Sequence, residues 1–361
     1  MIPLLEIKNV TFQYTGISAS QGPVLSDIHF GLFANECTAI CGPSGSGKTT
    51  LIQLFTGLLK PQSGQVLFQG QDIWSKGYSL AELRRQIGLV FQFPESQLFE
   101  ETVFKDVAFG PKNLDLPEHE IEQRVLQALE NVDLNPLQFK DRSPFRLSEG
   151  EKRRAAIAGV LAMGPDMVVF DEPTAGLDTK GIRRFQGIVQ RLLAQKKTVV
   201  LVTHNMDFVA QVAGRVLVLV QGRLVFQGPP ASLFKNKDLI FQAGLEPPCF
   251  MTAMESLALP PAFRGMISLD QLLQKIARMQ NRKKKHDKPK NTTSKISTIG
   301  KKTRHTKRAR QINNYFRHLG EGLGHEAGPQ IRSASNKSLT LALEEIAADK
   351  LEFEHPDEGV K

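Results

Sequence analysis

Tryptophan occurs once, and tyrosine and cysteine three times each, in the 361 residues. Three cysteines cannot build a disulfide framework, so the fold must be held by burial rather than by cross-links. Cys37 and Cys41 lie in an apolar strand pattern with no further ligands nearby, and read as core thiols instead of a metal–sulfur site. No stretch reaches the ~18 consecutive apolar residues that a bilayer-crossing helix needs. The opening MIPLLEIKNV has no basic stretch ahead of a long apolar run, so the chain is expected to stay inside the cell. There is no self-similar repeat, which argues against two tandem copies of one core.

The main body also lacks a charge excess. The formal charge is +9, yet residues 281–361 hold 18 basic and 10 acidic side chains, leaving 28 and 27 for the rest. The basic character belongs to the tail and says little about what the body binds. Hydrophobic residues make up 41%, too many for a mostly disordered chain. The length is two to three times a ~150-residue domain.

Residues 4–14 and 24–32 alternate as two strands around a Gly/Ser-rich loop at 16–22. ECTAIC at 36–41 is a short apolar strand running into glycines, and TTLIQLFTGLL after it has helical periodicity, with a stop at Pro61 and Gly64. QVLFQG reads as a further strand, and residues 98–162 are mainly helical. Strand signals return in MVVFDE, TVVLVTH, RVLVLV and RLVFQG, with a helix at about 179–195 between the first two. Alternating strands and helices predict an α/β fold on a parallel sheet, and the long helical stretch predicts an inserted subdomain.

GPSGSGKTT at 42–50 matches G-x-x-x-x-G-K-[ST] after an apolar strand and at the opening of a helix. Gly42, Gly45 and Gly47, with Pro43, Ser44 and Ser46 between them, let the backbone turn its N–H groups onto phosphate oxygens. Lys48 can reach the β- and γ-phosphates, Thr49 can place its hydroxyl on Mg²⁺, and Thr50 follows in the helix whose positive end faces the same charge. VVFDE places Asp171 at the tip of a buried strand, where it can hold Mg²⁺ through water. Glu172 beside it can orient or deprotonate an attacking water. Taken alone, the two carboxylates could simply close a strand; together with the phosphate loop they indicate nucleoside triphosphate hydrolysis.

LSEGE at 147–151, DEPTAGLD and VTHNMD complete an order that resembles the ATPase subunit of an ABC transporter. The resemblance implies a P-loop NTPase core of ABC ATPase type, with the helical subdomain at about 98–162 and an antiparallel β subdomain. It further implies that Tyr14 stacks on adenine and that Gln92 meets Mg²⁺ and water and couples to a membrane partner. Ser148 and Gly150 would close on the γ-phosphate of an opposite subunit, Asp178 would serve the dimer-contact loop, and His204 would lie near the γ-phosphate. Other readings stay open for several of these: Tyr14 as an edge filler, Gln92 as a turn residue, Asp178 as a helix cap, His204 as a structural histidine before the capping Asn205.

The signature departs from the common LSGGQ at two places. Glu151 replaces a glutamine and makes a capping box with Ser148. Glu149 replaces a glycine and is expected to repel a bound polyphosphate, unless the cap holds the helix start so that the carboxylate points to solvent.

FQFPESQLFEETVFKDVAFGPKN at 91–113 narrows the resemblance to the ATPases of energy-coupling factor transporters, which take up vitamins and transition-metal ions, and the PFRLSEGEKRRAAIAGVLAM wording to the second type of the pair. Phe91, Phe93, Leu98 and Phe99 there could seat a helix of a membrane subunit, or only pack the helical subdomain. AGLEPPCFMTAMESLALPPAFRGMISLDQLLQKIAR at 243–278 resembles the small C-terminal helical domain of these ATPases. The expected organisation is therefore an ATPase domain at 1–240, a helical dimerisation domain at 241–280, and a basic, largely disordered extension at 281–361. Expected ligands are ATP and Mg²⁺. Expected partners are a second ATPase subunit, a transmembrane coupling subunit and a membrane-embedded substrate-binding subunit, with the chain peripheral on the cytoplasmic side of the cell membrane. The 13 Lys and Arg of residues 281–310 leave three options: a solvated arm, contact with anionic lipid, or nucleic-acid binding. Few aromatics stand there to stack bases, so nucleic acid is the least supported. Alternatives for the whole chain are an ATPase subunit of another ABC importer, or a soluble nucleic-acid-associated ABC protein.

Overall fold

Five-residue runs that are apolar but for one residue each (Thr38, Asp171 and Thr198) are covered on both sides, and they form the centre of the molecule. A computed structural model describes residues 2–14, 22–249 and 251. Residues 1–248 form one compact unit. In it β3 (Cys37–Cys41), β7 (Met167–Asp171) and β8 (Thr198–Val202) lie in the interior of a six-stranded sheet. With β6 (Ile87–Val90), β9 (Arg215–Val220) and β10 (Arg223–Gly228), the order is β10-β9-β3-β8-β7-β6. All pairings are parallel except β9 with β10. Parallel strands must be covered on both faces, which is why these segments read as continuous apolar runs.

A second sheet, order β2-β1-β4-β5, is antiparallel throughout and contains β1 (Leu5–Phe12), β2 (Leu25–Leu32), β4 (Ser63–Phe68) and the two-residue β5 (Gln71–Asp72). Its inward residues Leu5, Ile7, Val10, Ile28, Phe30 and Val66 share one core with α1 (Lys48–Phe55) and one face of the main sheet. The other face is covered by α3 (Val103–Lys112), α4 (Glu118–Asn131), α6 (Glu149–Ala162) and α7 (Thr179–Ala194). Before that helical stretch α2 (Leu80–Gln86) runs directly into β6, and α5 (Pro136–Phe139) is a single turn inside it. Beyond β8 and β10 lie α8 (Met206–Val212), α9 (Pro230–Lys235) and α10 (Lys237–Gln242).

Two expectations shift. The helix after the phosphate loop ends at Phe55, because the Thr56 hydroxyl bonds back to the Ile52 carbonyl and Gly57 turns left-handed at φ 68°. β6 stands where no strand signal was read: four residues are too few to show alternation. Cys37 and Cys41 are buried, which pushes the Cys37 thiol up to about 12 and that of Cys41 higher still, so neither is reactive. The loop at residues 15–21, most of the expected C-terminal helical domain and the whole basic extension lie outside the described residues.

Candidate nucleotide site

The phosphate loop is shaped by what crowds it. Gly42 has φ 148°, and a Cβ there would fall 2.0 Å from the Leu219 carbonyl oxygen; one on Gly47, φ 100°, would fall 2.7 Å from Leu25. At the tip the opposite holds, since nothing lies within 4 Å of a Cβ on Gly45. Among the described residues the N–H groups of Ser44, Gly45 and Gly47 have no acceptor. A loop clamped at both ends, with free donors at an open tip, is an anion cradle. Ser46 is buried and its hydroxyl has no partner. Pro43 is half-buried, Ser44 is exposed, and Thr49 is exposed in the first turn of the helix.

Lys48 folds back over the loop, its Nζ donating to the Gly42 and Pro43 carbonyls at 2.8 Å each. Burial lowers its pKa, and the charges of Glu172 and Asp171 work against that shift. The Asp171 carboxyl is raised, first by burial and then by Glu172, with Lys48 pulling the other way. Two distant parts of the sequence, at Lys48 and at Asp171–Glu172, thus sense one another at the end of the sheet.

Glu172 holds a left-handed backbone, φ 46°, which a non-glycine residue adopts uncommonly. Its N–H is fixed on the Val202 carbonyl at 2.8 Å, and its Oε1 meets His204 Nδ1 at 3.0 Å. Oε2 is buried with no partner. His204 is 74% exposed, so one of its nitrogens is engaged while the ring remains open to solvent. Tyr14 reaches the helix that follows the phosphate loop: its hydroxyl meets Thr50 Oγ1 at 3.2 Å, and its ring stands edge-on to Phe12 at 4.9 Å.

The remaining positions make no hydrogen bond to this cluster among the described residues. Gln92 is exposed and forms no hydrogen bond among the described residues. Asp178 is exposed and caps α7, its Oδ1 accepting from Gly181 N at 2.7 Å, and Asn205 caps α8 in the same way. Ser148 and Gly150 are exposed at the start of α6, with no hydrogen bond to the phosphate loop among the described residues. Glu151 Oε2 accepts from both the Ser148 N–H, 2.8 Å, and the Ser148 hydroxyl, 2.7 Å. Glu149 turns outward, 75% exposed, and pairs with Lys152 at 2.7 Å. The repulsion expected from Glu149 is reduced accordingly, by solvent and by a counter-charge.

Sequence reasoning missed Arg153 and Glu95. Arg153 is buried beside the turn that follows Gln92. The Arg-Arg doublet of the signature helix was visible, but charge at helical spacing ordinarily marks a solvated face.

Residues 25–175 match the family described as ABC transporter. The energy-coupling factor transporter ATP-binding protein EcfA2 of Clostridium tetani is 44% identical over 254 residues, covering 70% of this chain and 88% of its own. The protein of the same name from Symbiobacterium thermophilum is 44% identical over 270 residues, 73% and 92%. The chain belongs to the energy-coupling factor ATP-binding family. Among solved structures this family member is similar to cbiO1 of Clostridium perfringens, part of the ABC transporter complex cbiONQ, with TM-score 0.61, 37% identity and coverage of 71% of this chain and 100% of that one. It is also similar to the ATP-binding cassette MJ0796, a dimer in a post-hydrolysis state with ADP and Pi, with TM-score 0.55, 29% identity and coverage of 63% and 98%. The fold is that of an ABC-type P-loop NTPase with a helical insert and an antiparallel β subdomain.

Proposed function

We propose that this energy-coupling factor subunit binds and hydrolyses ATP beneath a membrane complex and so powers import of a vitamin or a transition-metal ion. The observation that carries the reading is Glu172, held by Val202 and His204 with one buried carboxylate oxygen left unpartnered at the mouth of a phosphate cradle. That oxygen is positioned as a base. Water attacks the γ-phosphorus, gives its proton to Glu172 Oε2, and the bond to the ADP oxygen breaks. Lys48 and the free loop N–H groups of Ser44, Gly45 and Gly47 offset the charge developing on the phosphoryl oxygens. His204 orients Glu172 through the 3.0 Å contact and offers its exposed edge to the γ-phosphate. Tyr14 forms the edge on which the adenine stacks.

The residues fit a divalent cation. Adjacent carboxylates at Asp171 and Glu172, with a buried oxygen unmet and the Asp171 carboxyl raised first by burial and then by its neighbour, form a site suited to a cation. Thr49, Asp171 and Gln92 would hold Mg²⁺, whose chemistry there is to neutralise the phosphates of bound ATP.

Ser148 and Gly150, exposed at a helix start, would complete the ATP site of a second ATPase subunit, with Asp178 at the contact between the two. Phe91, Phe93, Phe99 and Phe109 are all exposed, and Phe99 and Phe109 stack edge-on at 5.1 Å. Aromatics gathered around Gln92 form a seat for a transmembrane coupling subunit, which in turn carries the membrane-embedded substrate-binding subunit. No helix among the described residues is long and apolar enough to cross a membrane, which accords with a peripheral place.

Two substitutions test the reading together. Glu172→Gln is expected to retain ATP binding while turnover falls at least ~100-fold, and Lys48→Ala is expected to lose tight Mg-ATP binding by titration calorimetry. Unchanged turnover in the first, or unchanged binding in the second, would remove the assignment. Copurification from membranes with a transmembrane chain and a second ATPase tests the importer.

A further inference from the structure

Arg153 leaves α6 just beyond its capped start and is 8% exposed. Its Nη1 donates 2.7 Å to the Ala175 carbonyl, inside the loop that joins Glu172 to Asp178. Its Nε lies 3.8 Å from Glu95 Oε2, in the 3-10 turn Pro94–Gln97 that follows Gln92. The guanidinium stands over the Phe93 ring, 5.8 Å from its centroid. That ring closes a triangle: a Cβ on Gly176 would lie 3.9 Å from it. One buried cation therefore touches the turn after Gln92, the helix opened by Ser148, and the loop between Glu172 and Asp178.

The pairing is unfinished. Burying a guanidinium is costly unless its donors are used, yet Arg153 Nη2 and Glu95 Oε2 are both buried without a hydrogen bond. At 3.8 Å the ion pair stops short of hydrogen-bond distance, and movement of the turn by about 1 Å would close it. Phe93, at φ 55°, is the left-handed hinge at the start of that turn, and its ring is half exposed on the aromatic seat. An arrangement with a strained hinge, a half-made ion pair and a short bond to the next loop has a second position within reach.

We propose that Arg153 is a positioning residue that relays movement of the Phe93–Gln97 turn, when a membrane subunit seats there, to the loop carrying Glu172 and Asp178. The inference rests on the reading above that Phe91, Phe93 and Phe99 seat that subunit. Arg153 touches no nucleotide-binding group, so its loss acts on the rate of hydrolysis and not on ATP affinity. Glu95 acts through the same pair, so the two residues act as one unit.

The test uses the full complex, purified with its copurifying membrane subunits, carrying Arg153→Gln, Glu95→Gln or both. Expected are a kcat for ATP lowered about tenfold in each single variant, a KM within about twofold of wild type, and a double variant no slower than the slower single one. Glu95→Gln is isosteric and leaves the Arg153–Ala175 bond in place, so it carries the test if Arg153→Gln fails to fold. Arg153→Lys, able to keep the charge near Glu95 but not both contacts, is expected to restore part of the rate. Losses that multiply in the double variant, or a KM rise that accounts for them, overturn the relay. A wild-type complex that assembles and turns over, with both single variants matching it, overturns the relay alone. A wild-type chain that neither hydrolyses ATP nor copurifies with membrane subunits overturns the underlying reading, and the relay falls with it.

Discussion

Replacing Glu151 by glutamine should strengthen the ATP site that this signature completes, whereas replacing Glu149 by glycine should not. Ser148 has one hydroxyl proton, and Glu151 Oε2 holds it at 2.7 Å while also holding the Ser148 N–H at 2.8 Å. A phosphate arriving from an opposite subunit would meet lone pairs instead of a donor. A hydrogen bond to a charged group contributes roughly 1.5–3 kcal/mol, against roughly 0.5–1.5 for a neutral one. Releasing the hydroxyl from glutamine is therefore easier by about 1 kcal/mol, about fivefold in affinity. Glu149 lies outside that bookkeeping, being 75% exposed and paired with Lys152, so Glu149→Gly should change affinity less than about twofold.

Acid cannot substitute for the mutation. The Ser148 hydroxyl, and next its N–H, hold the Glu151 carboxyl below its ordinary value. A depressed carboxylate stabilises the cap at all pH above its unfolded pKa, and loses that contribution only as pH falls through the lower folded value. The effect of Glu151→Gln should accordingly be flat from pH 6 to 8. The assay is single-site turnover and ATP titration in dimers whose other site has been silenced by Lys48→Ala in this chain. If Glu149→Gly raises affinity and Glu151→Gln leaves it unchanged, the account of the Ser148 proton is wrong.

Gly42→Ala must displace the Leu219 carbonyl from 2.0 Å, and should cost about 2 kcal/mol or more, lowering Tm by about 4–8 °C in a thermal melt and abolishing tight ATP binding. Deleting residues 281–361, whose first 30 positions hold 13 Lys and Arg, should leave turnover of the assembled complex within about twofold, measured by phosphate release.

The interior of the fold was legible because its physics is local. RVLVLV and RLVFQG read as strands residue for residue, since an uninterrupted apolar run or a clean alternation between turns has no other home. The phosphate loop was legible for the same reason: glycines, lysine and hydroxyl stand in one short stretch. β6 was not, being four residues long and fused to α2. Glu172 and His204 lie 32 residues apart, and only family resemblance brought His204 to the phosphate that Glu172 serves; the 3.0 Å contact is a property of β7 and β8 ending side by side. The outward turn of Glu149 depended on Lys152 one helical turn away. Burial of Arg153 depended on a turn and a loop contributed by two other parts of the chain, and no window of sequence contains that information.

The floor beneath the phosphate loop carries a consequence for how the subunit is made. Gly222 N donates to the Ser46 carbonyl at 3.1 Å, and the Gly222 carbonyl accepts from Ser26 N at 2.8 Å. β3, which delivers the loop, is flanked by β8 and β9, neither of which precedes residue 198. The shape that holds ATP thus arises from long-range closure, the slowest kind of contact to form. A growing chain on the ribosome displays GPSGSGKTT early and should remain blind to nucleotide until the hairpin of β9 and β10 has been synthesised and docked. Half-made subunits should therefore draw no ATP, and the first nucleotide bound should mark a finished sheet.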